Sequence, residues 1–448
     1  MNSTGNLDES TAIVVSRDNH CVSRKNISES ALKVLYRLNK VGYDAYLVGG
    51  GVRDLLLGLH PKDFDVATNA LPEQAAAQFK NSRLIGRRFR LLHVRFGREI
   101  IEVATFRGHH SPQDNVEQPQ DNNVIINQDA HIQDGMILRD NVYGSISEDA
   151  WRRDFTVNAL YYNVKDFSVW DYTGGMQDLE DRVLRCIGDA TQRYQEDPVR
   201  MIRAIRLAAK LDFTITPQTA DPIKELAHKL AAVPAARLFE EVLKLFMSGC
   251  GVKTFRLLNE FNLFSILFPQ TAACIAEKDS KTIRFIEQGL ENTDARIAQG
   301  KPVTPAFLFA IMLWHPTEQC TANLYTKSKN QNQALQIASA EVISRQVQTV
   351  LIPKRFSVQV KEIWSMQNRL TRRQGKRAVR LLSQARFRAG YDFLLLRAQS
   401  GEAELQALGD WWTTFQECSA TEQNAMVRNI NDGDTTQRRQ ARKKTKKT

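Results

Sequence analysis

The apolar residues of this chain change their spacing partway along, near Asp189. Before that point, short apolar runs alternate with polar residues and glycine turns, as in AYLVGG (45–50). DFDVAT (63–68) and RRDFTVNAL (152–160) are expected to be strand-like, and LLHVRFG (91–97) and EIIEVATFRG (99–108) are expected to be two paired strands. After it, apolar residues recur almost only at helical spacing, as in DPVRMIRAIRLAAKL (197–211). A period of two residues indicates strands, and a period near 3.6 indicates helices. The pattern therefore predicts an α+β protein in which an α/β head is followed by a long all-helical arm.

The composition limits the compartment and the class of protein. At 448 residues the chain is long enough for several domains. Its six cysteines are scattered without a paired spacing, which argues against a disulfide framework or a zinc site and fits a reducing cytosol. The N-terminus lacks the pattern of a signal peptide. The longest apolar run (306–314) is too short to span a bilayer and is expected to form a buried helix. We expect a cytoplasmic protein that is not an integral membrane protein.

Positive charge is concentrated in two places. The formal net charge is +11, and the last eleven residues, RRQARKKTKKT, supply seven of these charges. A second block, residues 369–388, contains eight Lys or Arg residues and no acid. Two such blocks indicate a polyanionic partner. A solubilising tail with a solvated helix face, or attraction of the tail to an anionic membrane surface, would also fit.

Three segments are predicted to lack fixed structure because they contain too few large apolar residues to bury. They are a flexible N-terminus (1–25), a Gln/Asn-rich insertion (109–135) and a disordered basic C-terminal extension (431–448).

A glycine turn and a pair of aspartates form the first candidate site. Gly49, Gly50 and the glycine after them let main-chain N–H groups approach a phosphate, and Arg53 can add a charged fork. Asp63 and Asp65 follow in PKDFDVATN, and carboxylates are the hard oxygen ligands that Mg²⁺ accepts together with substrate phosphates. A lone Asp-x-Asp is weak evidence and more often marks a solvated loop, so the combination carries the prediction.

Two residues could supply a third carboxylate. Asp154 lies in RRDFTVNAL behind Arg152 and Arg153, and Glu102 lies on a strand expected to pair with the Asp-x-Asp strand. An ordinary ion pair would explain the first, and a charged residue on an edge strand would explain the second.

The segment EDPVRMIRAIRLAAK (196–210) is the next candidate. Asp197 and Pro198 form a good helix start, after which Arg200, Arg203 and Arg206 recur along one face. An amphipathic helix with a solvated face would look the same. The functional interpretation is that Asp197 and Arg200 offer an acceptor and a donor that suit adenine or cytosine but not guanine or uracil.

Taken in order, these motifs resemble those of the class II nucleotidyltransferases, a group that contains bacterial poly(A) polymerases and CCA-adding tRNA nucleotidyltransferases. The matching stretches are LVGGGVRDLLLG, KDFDVATNA, RRDFTVNALYYN, GGMQDLEDRVLRCIG and EDPVRMIRAIRLAAKL. The resemblance implies a polymerase-β-type nucleotidyltransferase head at 26–175, a nucleotide- and RNA-binding neck at 176–248, and an RNA-binding helical body and tail at 249–430.

The resemblance also implies roles for individual residues. Asp63 and Asp65 would hold Mg²⁺, and it is the resemblance that favours Asp154 over Glu102 as the third catalytic carboxylate. Binding of the nucleotide would fall to Gly49, Gly50, Arg53, Arg107, Arg152, Arg153, Asn158, Asp197, Arg200, Arg203 and Arg206. Binding of RNA would fall to Arg372, Arg373, Lys376, Arg377 and Arg380.

The stretch LIGRRFRLLHV (84–94) resembles the signature that separates poly(A) polymerases from CCA-adding enzymes, and the basic C-terminus resembles that of γ-proteobacterial poly(A) polymerases. The expected reaction is template-independent addition of AMP from ATP to RNA 3′ ends, with release of pyrophosphate, in the service of RNA decay. A CCA-adding enzyme is the alternative. An RNA chaperone or a ribonuclease could be a partner, and the sequence leaves open which RNAs are extended.

Overall fold

The computed structural model describes residues 11–86, 90–108, 131–133, 136–139, 142–276, 280–328 and 330–430. The predictions for residues 1–10, for most of the 109–135 insertion, for the centre of LIGRRFR and for the 431–448 extension lie outside these residues. The chain forms two compact units, Met1–Lys229 and Leu230–Thr448. The predicted boundaries of head, neck, body and tail stay predictions.

The first unit combines strands and helices. Its strands are β1 (Ile13–Val15), β2 (Ala45–Val48), β3 (Asp65–Thr68), β4 (Ser82–Ile85), β5 (Leu91–Phe96), β6 (Glu99–Thr105), β7 (His131–Gln133), β8 (Met136–Arg139), β9 (Leu160–Asn163), β10 (Val169–Asp171), β11 (Val183–Leu184) and β12 (Thr214–Ile215). Its helices are α1 (Glu29–Lys40), α2 (Gly50–Leu56), α3 (Pro72–Ala77), α4 (Ile146–Arg152), α5 (Gly175–Glu180), α6 (Ala190–Glu196), α7 (Val199–Leu211) and α8 (Pro217–Leu226).

Eight of the strands form one sheet in the order β1-β10-β9-β2-β3-β6-β5-β4. Neighbours run antiparallel except β3 and β6, which are parallel. The predicted pairing of LLHVRFG with EIIEVATFRG is confirmed as β5 with β6. The β2–β3–β6 centre of the sheet holds the glycine turn, Asp65 and Glu102, so the fold brings three of the sequence motifs together.

Helix α1 covers one face of the sheet because its sequence has an apolar stripe. Ala31, Val34, Leu35 and Leu38 recur at helical spacing, and all four are buried. Ser28 caps the helix by accepting a hydrogen bond from the main-chain N–H of Ala31. On the opposite face, α4 joins an aromatic cluster that includes Tyr46, Phe106, Tyr161 and Tyr172.

Two local predictions for the first unit are wrong. The N-terminus is not irregular throughout, since Ile13–Val15 forms an edge strand paired with β10. RRDFTVNAL was expected to be strand-like, but Arg152 ends α4, a 3-10 helix covers Thr156–Asn158, and the strand starts only at Leu160. Asp154 therefore lies in a connection between two helical turns and not on the sheet.

The second unit is helical, as the sequence period predicts. Its helices are α9 (Ala235–Phe246), α10 (Gly251–Glu260), α11 (Phe264–Leu267), α12 (Pro269–Ala276), α13 (Ser280–Ala298), α14 (Pro305–Met312), α15 (Trp314–Ser328), α16 (Gln331–Thr349), α17 (Lys354–Leu370), α18 (Arg377–Leu382), α19 (Phe387–Gln399) and α20 (Gln406–Glu417). The predicted apolar helix at 306–314 is confirmed as α14, whose apolar side chains are largely buried. A separate cluster built on Trp412 and Phe415 packs α17 to α20 together.

The fold class predicted from the sequence, a mixed α/β region followed by an all-helical region, is thus confirmed. Within the part of the chain that the structure describes, every helix falls short of the length and apolarity needed to cross a bilayer.

Candidate active site

The glycine turn between β2 and α2 is the first part of the site. Gly49 has φ +71° and ψ −139°, a conformation that residues with a side chain rarely adopt. A Cβ at Gly49 would lie 3.3 Å from Nη1 of Arg153, and a Cβ at Gly51 would lie 3.4 Å from the main-chain oxygen of Asp63. The turn therefore lies directly against Arg153 and against the segment that carries the two aspartates.

Asp65 begins β3 next to this turn. It pairs with Val48 on β2 and with Glu102 on β6, and laterally paired residues present their side chains to the same face of a sheet. Burial raises the pKa of Asp65 to about 6, with Glu102 and Asp63 acting in the same direction and Arg153 opposing them. The three carboxylates form a negatively charged site that a bound cation would relieve.

Asp63 differs from Asp65 in its setting. The sequence suggested one strand through both residues, but the strand starts at Asp65, and Asp63 precedes it and is exposed. Phe64 between them is buried beside Gly51. Among the described residues, no group of three or more His, Cys, Asp or Glu side chains is arranged to hold a metal ion. A metal on Asp63 and Asp65 would therefore draw further ligands from the substrate, which is usual for Mg²⁺.

Glu102 has a partner that the sequence did not single out. His93 on β5 is directly opposite Glu102 in the antiparallel register, and Nε2 of His93 lies 3.1 Å from Oε1 of Glu102. Both residues are on the same sheet face as Asp65. The sequence contained one usable signal, since His93 alternates with the apolar residues of β5 and so had to face away from the core behind it.

Asp154 has a full set of protein partners. Its Oδ1 accepts hydrogen bonds from the main-chain N–H of Phe155 (2.9 Å) and from Nδ2 of Asn158 (3.2 Å). Its Oδ2 accepts from Nε (2.7 Å) and Nη2 (2.5 Å) of Arg203. Burial alone would raise the pKa of Asp154, but Arg203 and Asn158, helped by Arg200, bring it down to about 2. The carboxylate is thus a permanent anion already neutralised by the protein.

Arg53 is also committed to the protein rather than exposed to a ligand. Its guanidinium is buried and donates to Oδ1 of Asp54 and to Oδ1 of Asn158, both at 2.5 Å. Asp54 also accepts from Nζ of Lys210 at 3.2 Å. A continuous polar chain therefore runs from α7, through Asp54 and Arg53, to Asn158 and Asp154. Arg53 thus has protein partners next to the glycine turn, and its predicted role in binding phosphate stays a prediction.

Arg107, Arg152 and Arg153 converge through a buried aspartate and an arginine that the sequence reasoning missed. Asp149 accepts from the main-chain N–H of Arg107 (3.1 Å) and pairs with Nη2 of Arg153 (3.0 Å). Arg152 donates to the main-chain oxygen of Gly108. Arg193 on α6 binds the main-chain oxygens of Arg152 and Arg153 at 2.5 and 2.7 Å. The spacing of Asp149 and Arg153, four residues apart before a conspicuous RRD, was the available signal.

Helix α7 begins as predicted, directly after Asp197 and Pro198. Oδ1 of Asp197 accepts from the main-chain N–H of Val199 at 3.3 Å. Arg200 donates to Oε2 of Glu196 (3.0 Å) and to the main-chain oxygen of Arg193 (2.9 Å). The apolar stripe is buried, while Arg203 and Arg206 are half-buried. The proposed base-reading pair is therefore close together at the start of this helix.

The predicted RNA-binding residues lie in the second unit, around the start of α18. Arg372, Lys376, Arg377 and Arg380 are exposed. Arg373 is half-buried, and its guanidinium lies 5.1 Å from the centre of the Trp411 ring. This surface combines four exposed cations with one cation held over an aromatic ring.

A mixed sheet that carries a glycine turn and clustered aspartates, followed by an all-helical region, defines a nucleotidyltransferase of the CCA-adding type of fold. Comparison with solved structures agrees on the fold: the Bacillus stearothermophilus CCA-adding enzyme in complex with CTP superimposes with a TM-score of 0.58 at 23% identity, covering 88% of this chain and 82% of that one. The first unit also matches the family described as "Poly A polymerase head domain" over residues 45–185.

Sequence relatives resolve the branch. Poly(A) polymerase I of Salmonella typhimurium is 51% identical over 432 residues, covering 96% of this chain and 91% of that protein. The CCA-adding enzyme of Lactobacillus gasseri is 35% identical over 228 residues, covering 51% of this chain. Residues 212–275 match "Probable RNA and SrmB- binding site of polymerase A", and residues 327–447 match "Polymerase A arginine-rich C-terminus". The chain belongs to the poly(A) polymerase family.

Proposed function

We propose that this protein adds AMP from ATP to RNA 3′ ends without a template and releases pyrophosphate. The observation that carries the proposal is the position of Asp65, which lies between a glycine turn on one side and a second carboxylate, Glu102, on the next strand. The similarity to Poly(A) polymerase I along almost the whole chain supports ATP as the nucleotide.

The residues present fit a magnesium ion. Asp63 and Asp65 supply carboxylate oxygens beside the glycine turn, and the pKa of Asp65 is raised first by burial and then by the neighbouring carboxylates of Glu102 and Asp63. Mg²⁺ held by Asp63 and Asp65 would supply a Lewis acid that neutralises charge on the triphosphate. The remainder of the chemistry rests on positioning, since phosphoryl-type transfer needs little covalent participation from the protein.

We assign the third carboxylate of the reaction to Glu102 and give Asp154 a positioning role. Glu102 shares a sheet face with Asp65 and influences its pKa. Both oxygens of Asp154 are already occupied by protein donors, so a substrate or metal would have to displace Arg203 or Asn158. Asp154 instead fixes Arg203 on α7 relative to the loop that carries Arg152 and Arg153.

The triphosphate is bound by the glycine turn together with Arg153. Gly49 and Gly50 lack a Cβ, so a phosphate can approach their main-chain N–H groups closely, and the Arg153 guanidinium lies against Gly49. Asp149 and the Tyr161 hydroxyl orient that guanidinium. In the reaction, the RNA 3′-oxygen forms a bond to the α-phosphorus while the bond to pyrophosphate breaks, and Arg153 offsets the charge that leaves with the pyrophosphate.

Base selection is assigned to the start of α7. Asp197 can accept a hydrogen bond from the N6 amino group of adenine, and Arg200 can donate one to N1. Arg200 is held by Glu196 and by the main-chain oxygen of Arg193, which limits the positions that its guanidinium can reach. This restraint supports a fixed preference for one base.

RNA binding is assigned to the second unit through Arg372, Arg373, Lys376, Arg377 and Arg380. Sequence-independent phosphate contacts of this kind suit a polymerase that extends many RNAs, and their contribution falls as salt rises. A protein partner of the RNA-chaperone or ribonuclease type, a role in RNA decay and a cytoplasmic location remain part of the proposal, as does RNA contact by the 431–448 extension.

The nucleotide-choice assay tests the proposal. The protein is incubated with an oligo(A) primer and either ATP or CTP, and in parallel with tRNA that lacks its CCA end. We expect long A tails on the primer and no extension with CTP. Incorporation of CTP onto the truncated tRNA would instead identify a CCA-adding enzyme and contradict the proposal.

A further inference from the structure

A cavity in the second unit is lined by none of the residues assigned above. It has a volume of about 480 Å³, is open to solvent on one side and is lined mainly by α13, α14, α19 and the connection between α13 and α14. Pockets that hold small ligands or parts of larger ones fall in the range of about 300–1,000 Å³. The cavity is therefore large enough for a base with its sugar.

Part of the cavity wall is apolar and is formed by Met247, Val303, Phe307, Leu308 and Leu395. Uncharged polar side chains complete the wall, namely Asn292, Thr293, Thr304 and Gln399. The Phe307 ring is half-buried and meets Phe393 edge to face at 6.0 Å between ring centres, so one aromatic surface is held in place by the core. A rigid aromatic surface in an apolar recess is the usual platform for a stacked base.

The rim of the cavity is cationic. Arg296 and Arg388 are exposed, and Arg386 is half-buried. The one carboxylate in the lining, Asp392, pairs with Arg388 at 2.9 Å. Arg386 pairs weakly with Glu362 at 3.3 Å, where both side chains are largely in solvent. Three arginines and two partner carboxylates, Asp392 in the lining and Glu362 beyond it, leave the rim with a net positive charge.

A recess with one aromatic surface, both apolar and uncharged polar side chains, and a positively charged rim matches a nucleotide within single-stranded RNA, whose base can turn inward while its phosphates stay at the surface. An uncharged apolar ligand would make no use of the charge on the arginines. An acidic peptide would contact the arginines but would leave the recess beside the Phe307 ring unfilled. We propose that this cavity binds one nucleotide of the acceptor RNA, at a position other than the reacting 3′ end. The proposal rests on the RNA-extending function proposed above.

Because the reacting end is bound in the first unit, the cavity acts on RNA affinity and leaves the chemical step alone. It gives the helical unit a way to hold an RNA by a base as well as by phosphates. We therefore expect changes in the cavity to alter the affinity for RNA.

Filling the cavity tests this directly. Ala295 lies on α13 in the cavity lining and is exposed, whereas Ala298, on the same helix and also exposed, lies outside the lining. Ala295→Trp and Ala298→Trp are therefore matched variants. Affinity for a long labelled oligo(A) is measured by fluorescence anisotropy, with thermal unfolding as the check on folding and the KM for ATP as the check on the active site.

We expect Ala295→Trp to weaken binding of the long oligo(A) about tenfold, because stacking of one base on an aromatic side chain is worth about 1–3 kcal/mol. Ala298→Trp should bind as the unmodified protein does, and both should keep the KM for ATP. Equal oligo(A) affinity of the two variants would overturn the proposal. A raised KM for ATP in Ala295→Trp with unchanged RNA affinity would assign the cavity to free nucleotide and would also overturn it.

A second pair of variants probes the rim. Arg296→Gln removes a lining charge, and Arg284→Gln removes an exposed charge from the same helix outside the lining. If a phosphate lies at the rim, Arg296→Gln should reduce the slope of log affinity against log salt by about 0.7, and Arg284→Gln should leave it unchanged. Identical slopes would contradict phosphate binding there. Since the oligo(A) affinities and their salt slopes are measured without catalysis, their outcome does not depend on which nucleotide the protein incorporates.

Discussion

Two carboxylates of the first unit, the half-buried Asp65 and the buried Asp154, have opposite electrostatic settings. Asp65 shares its sheet face with Glu102, and burial together with its acidic neighbours raises its pKa to about 6. Asp154 has four donors from three residues, and its pKa is about 2. A carboxylate that the protein leaves uncompensated is suited to receive a cation or a substrate, whereas one that the protein has neutralised is suited to hold elements together. The sequence alone did not reveal this difference, because both residues are aspartates and the arginine pair before Asp154 did not show whether the protein neutralises its carboxylate.

The largest expected effect comes from removing both carboxylates of the proposed metal site, Asp63 and Asp65. Asp63→Ala combined with Asp65→Ala should lower tailing activity by about a thousandfold or more, because neutralisation of the triphosphate by a metal is worth several kcal/mol. Affinity for oligo(A), measured by anisotropy, should stay within twofold of the unmodified protein. Asp18→Ala, an exposed aspartate in the same unit, is the control. Extension of RNA by the double variant would show that these residues do not hold the metal.

Glu102 and Asp154 are the two candidates for the third catalytic carboxylate. Glu102→Gln should lower tailing about 10- to 100-fold and should raise the Mg²⁺ concentration needed for half-maximal activity, since it removes one charge beside Asp65. Asp154→Asn should leave that Mg²⁺ requirement unchanged, because its carboxylate is occupied by Arg203 and Asn158.

Activity titrated with Mg²⁺ for the two variants, together with direct binding of Mn²⁺ followed by electron paramagnetic resonance, checks this assignment. If Asp154→Asn alone shifted the metal requirement, the role that the family resemblance gave to Asp154 would be restored and our assignment of Glu102 would be wrong.

The two carboxylates should also have opposite pH signatures in metal-free protein. A raised pKa means that Asp65 favours folding below about pH 4 and that this contribution is lost as pH rises towards 6, so Asp65→Asn should be more stable than the unmodified protein above pH 6 by about 2 kcal/mol. A depressed pKa means that Asp154 stabilises the fold above about pH 4 and loses that contribution as pH falls towards 2. Asp154→Asn should therefore cost about 2 kcal/mol at neutral pH, less than for a fully buried pair because Arg203 is about a third exposed.

Calorimetric unfolding in the presence of a chelator, compared at several pH values for both variants, measures these differences. A stability difference of the same sign for the two variants at pH 7 would refute the contrast between the two sites.

The sequence predicted those parts of the molecule whose signals are local. The alternation in residues 91–105 identified β5 and β6, and Asp197-Pro198 located the start of α7. Strand β1 was missed because its three residues lie at a sheet edge with two of them exposed, so there was no alternating pattern to find. RRDFTVNAL was wrongly predicted to be a strand because its apolar residues alternate, although Thr156–Asn158 forms a 3-10 helix.

The sequence predicted which residues belong to the site more readily than it predicted what each of them does. Asp63, Asp65 and Glu102 could be placed on neighbouring elements from patterns alone. The commitment of Arg53 to Asn158 could not, because it depends on packing between residues 105 positions apart. The same holds for Asp154 and Arg203, which lie on different elements and are 49 positions apart. Whether a charged side chain faces a ligand or a partner is decided by such long-range packing.

The smallest expected effect concerns His93, whose imidazole Nε2 lies 3.1 Å from Oε1 of Glu102, the carboxylate that shares a sheet face with Asp65. Because Glu102 is about half exposed and water can replace a lost partner, the contact should be worth about 0.5–1 kcal/mol, which corresponds to a two- to fivefold loss of kcat in His93→Ala. His93→Gln, which keeps an N–H donor, should recover most of this loss, and His228→Ala, an exposed histidine elsewhere in the first unit, should have no effect. A positioning role predicts that kcat falls while the KM for ATP stays constant. A loss that appears only in thermal stability, or one that glutamine does not recover, would mean that His93 supports the sheet and not the carboxylate.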